Sequence, residues 1–402
     1  MASDTPWPPL GWEEHPWRSS LPRDLVSRRL RERHSGPYRA AVVPSVAGIQ
    51  VTLPSAVLAL ADEASVEIAR YDGEVGSKVA PFGALLLRSE SASSSQIENL
   101  TSGARAIALA ELDDGARTNA AQIVANVRAM EAAVQLADRL DADAILAMHA
   151  ALMAHQPQHA PGRWREEQVW IGGTSVGPHE AAFVPPHHAH VRATIDDLIA
   201  FARRDDIPAL THAALVHAQF ETIHPFTDGN GRTGRALIHA LLRAKGLSQH
   251  VTVPVSAGLL TDTDGYFAAL TSYRQGDPAP IVVAMSEAAL IAVANGRQLV
   301  GDLETVRARW GEQVTARRDS AVWRLIDLLL RQPVIDAATA QAVLGTTSAN
   351  AHRAIRQLET AGIITEFSGR RRGRFWQARE VLTALDDFAA RAGRRARAAP
   401  TG

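Results

Sequence analysis

The chain has no cysteine and only two lysines, Lys78 and Lys245, among 402 residues. Without cysteine there can be no disulfide, no thiolate metal site and no cysteine nucleophile. Nearly all of the 42 basic residues are therefore arginine. With so much alanine, this reads as a GC-rich coding bias, and it weakens any argument from a single arginine cluster. Long hydrophobic runs are missing too. No stretch of 18 or more residues stays both apolar and uncharged, which speaks against a transmembrane helix. The first 23 residues are rich in Trp and Pro and carry Asp4, Glu13 and Glu14. They lack the basic start and apolar middle of a secretory signal. A soluble, cytoplasmic protein without membrane attachment is the expectation. The formal net charge is −1, so the molecule as a whole is not an electrostatic nucleic-acid binder.

What is present is apolar residue in quantity, 46% of the chain, enough for two or three domains. Residues 1–40 read as an extended arm with a short helix near Leu25–Glu32. Ser55–Arg70 carries apolar residues at helical spacing, and helices dominate from Ser95 to Ala154. The Gly- and Pro-rich stretch from Pro157 to Pro186 interrupts them. Within it, Gln168–Ile171 and Ala182–Val184 are strand candidates for a hairpin. Helices resume over Val191–Arg203, Ala209–Ile223, about Gly231–Lys245, Thr263–Arg274 and Ile281–Ala316. Residues 318–380 read as a separate unit of helices followed by two short strands around a basic turn, Ser368–Gly373. The fold class expected is mostly α: a helical core with a short β-hairpin, then a C-terminal winged-helix-like domain of α+β type. The boundaries are 1–90 for the N-terminal region, 91–300 for the core and 318–380 for the last domain.

The most informative stretch is His224-Pro225-Phe226-Thr227-Asp228-Gly229-Asn230-Gly231-Arg232-Thr233-Gly234-Arg235. Asn230 and Gly231 stand where a loop enters a helix, and backbone N–H groups there attract an anion. Gly229, Gly231 and Gly234 let backbone approach a ligand closely. Arg232 and Arg235, three apart, share one helical face. Two cations at the positive end of a helix dipole are unfavourable unless an anion lies between them, and a polyphosphate would serve. Asp228 is the one carboxylate in the loop, and phosphate-bound Mg²⁺ takes one or two carboxylates. His224 is the nearby group whose unperturbed pKa suits a general base near neutrality. The stretch is no Walker loop. It also fits the GxGxxG spacing, but a helix precedes it where a dinucleotide fold needs a strand.

These residues resemble the signature of the Fic family, His-x-Phe-x-Asp/Glu-Gly-Asn-Gly-Arg-x-x-Arg, at every position from His224 to Arg235. The resemblance implies an all-helical core and a protein adenylyltransferase that moves AMP from ATP to a hydroxyl side chain of a target protein. By carry-over, His224 deprotonates the hydroxyl and Asp228 holds Mg²⁺. Asn230 and Gly231 form the anion nest, Arg232 contacts the phosphates and Arg235 reaches the γ-phosphate. Tyr266, followed by Phe267, resembles an aromatic pair on the adenine side; core packing accounts for it equally well. His217, one face up from His224, reads as a buried structural histidine.

Ser94-Ser95-Gln96-Ile97-Glu98-Asn99 has two readings. On the residues alone, Ser95 and Glu98 form a capping box at a helix start. With the signature downstream, Ser94, Glu98 and Asn99 resemble the family's inhibitory motif, in which the Glu pairs with the second signature arginine, here Arg235. That pairing competes with the γ-phosphate. The Gly172–Pro185 hairpin resembles the family's flap, where a target protein docks by strand pairing. His179, His187, His188 and His190 cluster beside it and read as solvated loop histidines. A homodimer is a further implication of the family.

In 318–380, ten arginines face six acidic residues, a net +4. Arg353 and Arg356 lie on the recognition-helix candidate, and Arg370, Arg371 and Arg372 on the wing candidate. Such an excess suits contact with DNA phosphates; protein contacts alone are the other use. Two further readings of the whole chain stay open. One is removal of AMP from a modified protein at the same site. The other is a nucleotide-sensing DNA-binding regulator. A UMP or phosphocholine donor is compatible as well, because the motif reads phosphates and not the base.

Overall fold

The computed structural model describes residues 7–17, 27–77, 82–112, 119–317, 320–369 and 373–393. In chain order, β1 (Gly11–His15), α1 (Arg28–Arg33) and β2 (Tyr38–Val42) come first. Then follow α2 (Ser55–Gly76), α3 (Phe82–Ile97), α4 (Ala104–Ala110), α5 (Asn119–Gln135), α6 (Ala142–Leu152), α7 (Val191–Ala202), α8 (Ala209–Ile223), α9 (Asn230–Ala244), α10 (Val255–Leu259), α11 (Thr263–Arg274) and α12 (Ala279–Gln313). The C-terminal part adds α13 (Ala321–Leu329), β3 (Val334–Asp336), α14 (Ala337–Leu344), α15 (Ser348–Thr360), β4 (Thr365–Glu366), β5 (Phe375–Gln377) and α16 (Arg379–Ala392). The chain forms two compact units, each discontinuous in sequence. The first gathers 1–62, 132–244 and 264–284; the second gathers 63–131, 245–263 and 285–402.

The first unit is organised around α8, which is buried on every face from Leu210 to Ile223. A helix buried all round must satisfy its polar side chains internally. Several are satisfied: His212 shares a hydrogen bond with the Phe201 carbonyl (2.9 Å), Gln219 donates to Pro44 O and accepts from Tyr273 Oη (2.8 Å), and Thr222 donates to Ala218 O. The residues 1–40, expected as an arm, instead contribute the antiparallel pair β1–β2, running from Gly11↔Val42 to His15↔Tyr38. Tyr38 and Ala40 are buried against Val184, with Trp17 and Trp170 packed beside them. The arm reading failed because the buried alternation in β2 spans only five residues, too short to register against Pro and charge. The helix nearby is Arg28–Arg33, capped by Ser27; Leu25 lies outside the described residues. The hairpin expected at 172–185 reduces to isolated bridges, Ile171↔Phe183 and Thr174↔Gly177. A 3-10 turn over Pro178–Glu180 occupies the returning strand, since proline there cannot donate to a ladder.

In the second unit, Ser95 and Glu98 do not open a helix. They close one: α3 ends at Ile97, and Asn99 takes a left-handed φ of 60°. Leu100 N–H and Glu98 N–H then both donate to the Ser95 carbonyl. Asn is among the few residues that tolerate this conformation and so end helices. The Ser-x-x-Glu spacing was the right pattern at the wrong end. The face that α3 buries near this end is polar: Ser89, Glu90, Ser91, Ser93, Ser94 and Ser95 are all buried. Glu90 accepts from the Ser256 N–H and hydroxyl (2.9 and 2.6 Å), and Asn126 donates to Ser91 O and Ser95 Oγ.

The C-terminal stretch of this unit shows a three-stranded antiparallel sheet in the order β3-β5-β4. Two strands were expected; β3, pairing Val334 with Gln377, is the addition. Asp336 caps α14 through Thr339 N–H (2.7 Å) and Gly345 ends that helix at φ 57°. Among the described residues α12 is the one helix long and apolar enough to cross a membrane by length and composition. Its most apolar 18-residue window has a mean hydropathy of 1.6, and half of that window is buried in the protein.

Candidate active site

The site grows from the junction of α8 and α9. α8 terminates at His224, which adopts φ 50°, ψ 62° while its N–H still donates to Phe220 O (2.9 Å). A left-handed histidine turns the chain sharply, at a cost of about 1 kcal/mol or more. The loop that follows is anchored by Phe226, which is fully buried. Its ring stacks on His149 at 3.6 Å between centroids and lies 5.1 Å from Trp164. Asn230 closes the loop, accepting from Phe226 N–H (2.8 Å) and donating to Phe226 O (2.9 Å). Its side chain is thus spent on the loop, and only its backbone can face a ligand.

Gly229 sits at φ 78°, and a Cβ there would come within 3.0 Å of Leu152 Cδ2 and Met153 Sδ. α9 begins at Asn230, with Gly231 and Arg232 in its first turn. Arg232 and Arg235 are 4% and 1% exposed, so both guanidinium groups are held deep beside the positive end of the helix. Gly234 faces α8: an added Cβ would meet the Glu221 carboxyl at 2.6 Å and the Phe220 ring at 3.0 Å. The missing side chain at 234 is required for the close approach of two helices, not for the approach of a ligand. Asp228 remains half-exposed. Its Oδ1 accepts from Gly229 N–H (2.6 Å) and lies 3.8 Å from Arg232 Nη2; Oδ2 lies 3.8 Å from His159.

The structure thus brings His224, Asp228, Gly229, Asn230, Gly231, Arg232, Gly234 and Arg235 together within one unit. Tyr266 is enclosed within the same unit. It is 2% exposed, and its hydroxyl shares a 2.7 Å hydrogen bond with His217 Nε2. Burial pushes that histidine down to about 3, keeping it neutral. The exposed ring at this position is Phe267, at 50%. Ser94 is buried, while Glu98 and Asn99 are exposed at the end of α3. Arg353 and Arg356 are exposed one turn apart on α15; Arg370, Arg371 and Arg372 lie outside the described residues. Of the loop histidines, His187 stacks on His15 at 4.2 Å and His190 contacts Glu13 at 3.2 Å.

Two residues of the site escape the sequence reading. Arg165 is buried and donates to the His224 carbonyl (2.9 Å). Nothing in the string Trp164-Arg165-Glu166-Glu167 distinguishes it from a solvated loop cation. His149 offered a signal: a lone histidine among Ala, Leu and Met on the apolar helix α6. Gly162 N–H donates to its Nδ1 (3.0 Å), so Nε2 carries the proton donated to Asp228 O (3.1 Å).

That tautomer is neutral, and burial pushes His149 down to about 4 from 6.5. The unfolded chain therefore binds more protons than the folded one between about pH 6.5 and 4. Stability from this group is complete above pH 6.5 and falls as pH drops through that window. The full loss is roughly 3 kcal/mol. Melting curves from pH 7 to 4 should show the fall, and it should be shallower in His149→Gln. Equal slopes in the two proteins would refute the assignment.

Residues 139–242 match the Fic/DOC family. The protein adenylyltransferase fic-1 of Caenorhabditis elegans is 29% identical over 148 residues, which cover 36% of this chain and 26% of that protein. Protein adenylyltransferase Fic of Drosophila mojavensis is 30% identical over 139 residues, 34% of this chain and 25% of its own length. The chain thus spans about a quarter of the length of these curated relatives. A solved structure of a Fic family protein from Desulfovibrio desulfuricans G20 has a TM-score of 0.52 at 22% identity, covering 82% of this chain and 97% of that one. This likeness is one of fold. The matched segment contains His149, Arg165 and the whole His224–Arg235 run, and leaves Glu98 and 318–380 outside. By sequence and by fold, this chain carries a Fic/DOC family domain over residues 139–242.

Proposed function

We propose that the chain is a protein adenylyltransferase that transfers AMP from ATP to a Ser, Thr or Tyr hydroxyl of a target protein, with Glu98 as a restraint on the reaction. One observation carries the reading: two buried arginines and the first turn of α9 converge one loop away from a histidine held in a left-handed turn. The dipole of α9 and the guanidinium groups suit a polyphosphate. Arg232 would bind phosphate oxygens and Arg235 the terminal one. Asp228 has a half-exposed carboxylate, which fits a nucleotide-bound Mg²⁺ that takes one or two carboxylates. Among the described residues no cluster of three His, Asp or Glu side chains could hold a metal, so the ion would arrive with the nucleotide. When bound it would neutralise phosphate charge.

In the reaction the target oxygen bonds to the α-phosphorus as the bond from that phosphorus to the β-bridging oxygen breaks. Pyrophosphate leaves, and the hydroxyl proton passes to His224. Catalysis of this kind is mostly positioning and charge stabilisation. The test uses the full chain with Mg²⁺ and two forms of labelled ATP. Label from the α-phosphate should become covalently attached to protein on a hydroxyl, and label from the γ-phosphate should not. Attachment of the γ-label would make the chain a phosphoryl transferase, and attachment of neither would refute the reading.

A further inference from the structure

Arg165 has an arrangement that the proposed chemistry does not use directly. It is 3% exposed, and its nitrogens go to four backbone carbonyls. The main-chain N–H donates to Pro225 O (2.9 Å) and Nε to His224 O (2.9 Å). Nη1 donates to Glu167 O (3.0 Å) and Nη2 to Pro186 O. The first two carbonyls belong to the turn that carries His224. The other two stand at the two ends of the segment 168–185. Among the described residues no carboxylate shares this contact set. Burial lowers the group to about 10, which leaves it a cation at neutral pH. A cation taken out of water and spent on carbonyl dipoles is costly, so its geometry is what the fold gains from it.

The planar fork fixes direction as well as distance, which an ammonium cannot do. At His224 the direction of the carbonyl is tied to the left-handed ψ of that residue, so a donor fixed on the carbonyl also fixes the turn. At the other end, the segment 168–185 is closed above Arg165 by Gln168 Nε2 donating to Pro185 O (3.0 Å). Next comes Ile171 N–H donating to Phe183 O (2.8 Å), and Ala41 N–H of β2 donates to Val184 O (3.0 Å). The base of the segment and the His224 turn thus share one guanidinium.

We infer that Arg165 is a positioning residue that locks the base of the 168–185 segment to the His224 turn, so that a polypeptide docked on that segment is presented to His224 at a fixed distance. The second half of this statement rests on the proposed transfer reaction; the lock itself does not. Arg165→Lys keeps the charge and removes the fork, and Arg165→Gln serves as a second variant should the first fold poorly. In the full chain, amide hydrogen exchange should rise together in peptides covering 167–186 and 220–228, with the interior of α7 unchanged. AMP transfer should slow on the order of 10- to 100-fold at saturating substrate, with the KM for ATP unchanged. A rise in only one of the two segments, or in neither, overturns the lock. So does a uniform rise that includes α7, which would mark Arg165 as a mere stabiliser of the unit. If the unsubstituted chain transfers no AMP, the reading of the function fails while the exchange result still decides the lock.

Discussion

Replacing His224 by Ala should lower the rate of AMP transfer by on the order of 10²- to 10⁴-fold, the range general-base catalysis contributes. The loss should fall on kcat and not on nucleotide binding. Asp228, Arg232 and Arg235, the residues proposed to hold the nucleotide, are untouched, and the Phe226–Asn230 bonds and the Phe226–His149 stack that close the loop are kept. A variant that loses kcat at constant ATP affinity has lost a group used in the transition state. One complication is the left-handed backbone at 224. Ala tolerates it less well than His, which adds a structural component to the loss. His224→Asn separates the effects, because Asn accepts this conformation readily and still cannot act as a base near neutrality. Both variants should be inactive, with calorimetric ATP binding within about twofold of the unsubstituted chain, a difference of about 0.4 kcal/mol. An Asn variant that transfers AMP at the original rate would remove His224 from the chemistry.

How far the sequence alone led depends on which residues are considered. The run from His224 to Arg235 was legible because its chemistry is local. Loop, helix start and charges fall within twelve consecutive residues, so their types nearly dictate their geometry. The residues that hold the run in place come from far away in the chain. Arg165 acts across 59 positions and His149 across 79. A single sequence has no term for such contacts. The glycines show the same limit. Gly229 and Gly234 were both read as places where backbone approaches a ligand; the structure shows a left-handed φ packed on Leu152 and Met153 at 229 and a close approach of α9 to α8 at 234. Among secondary elements, long periodic helices such as α8 and α12 were found to within a few residues. The misses were the short strands β1, β2 and β3, whose pairing is decided by distant partners, the helices α10 and α16, and most of α3 including its end. There a capping spacing was matched at the wrong terminus, because Ser-x-x-Glu says nothing about which side of it is helical. Only Asn99, in a left-handed conformation, settles the direction.

The exposed end of α3 leads to the second large effect. Glu98→Gly should raise AMP transfer, including transfer onto the chain itself, by roughly 10- to 100-fold. A hydrogen bond to a charged group contributes about 1.5–3 kcal/mol, and each 1.4 kcal/mol is a factor of ten. Those figures bound what one competing carboxylate can withhold from a phosphate. The substitution is structurally mild. Glu98 lies past Ile97, the last residue of α3, so glycine there escapes the penalty it would incur in a helix interior. Backbone bonds to the Ser95 carbonyl and the Asn126 bond to Ser95 Oγ fix the end of the helix. Glu98→Gln removes the charge while keeping the shape, and should give an intermediate rate if charge is the restraint. Incorporation of α-phosphate label measures all three proteins side by side. Equal rates in the three would eliminate Glu98 as a restraint. A Glu98→Gly chain that instead loses the ability to strip AMP from a modified protein would make this carboxylate a participant in hydrolysis. The two outcomes differ in sign, so one pair of assays on one variant distinguishes a brake from a catalytic group.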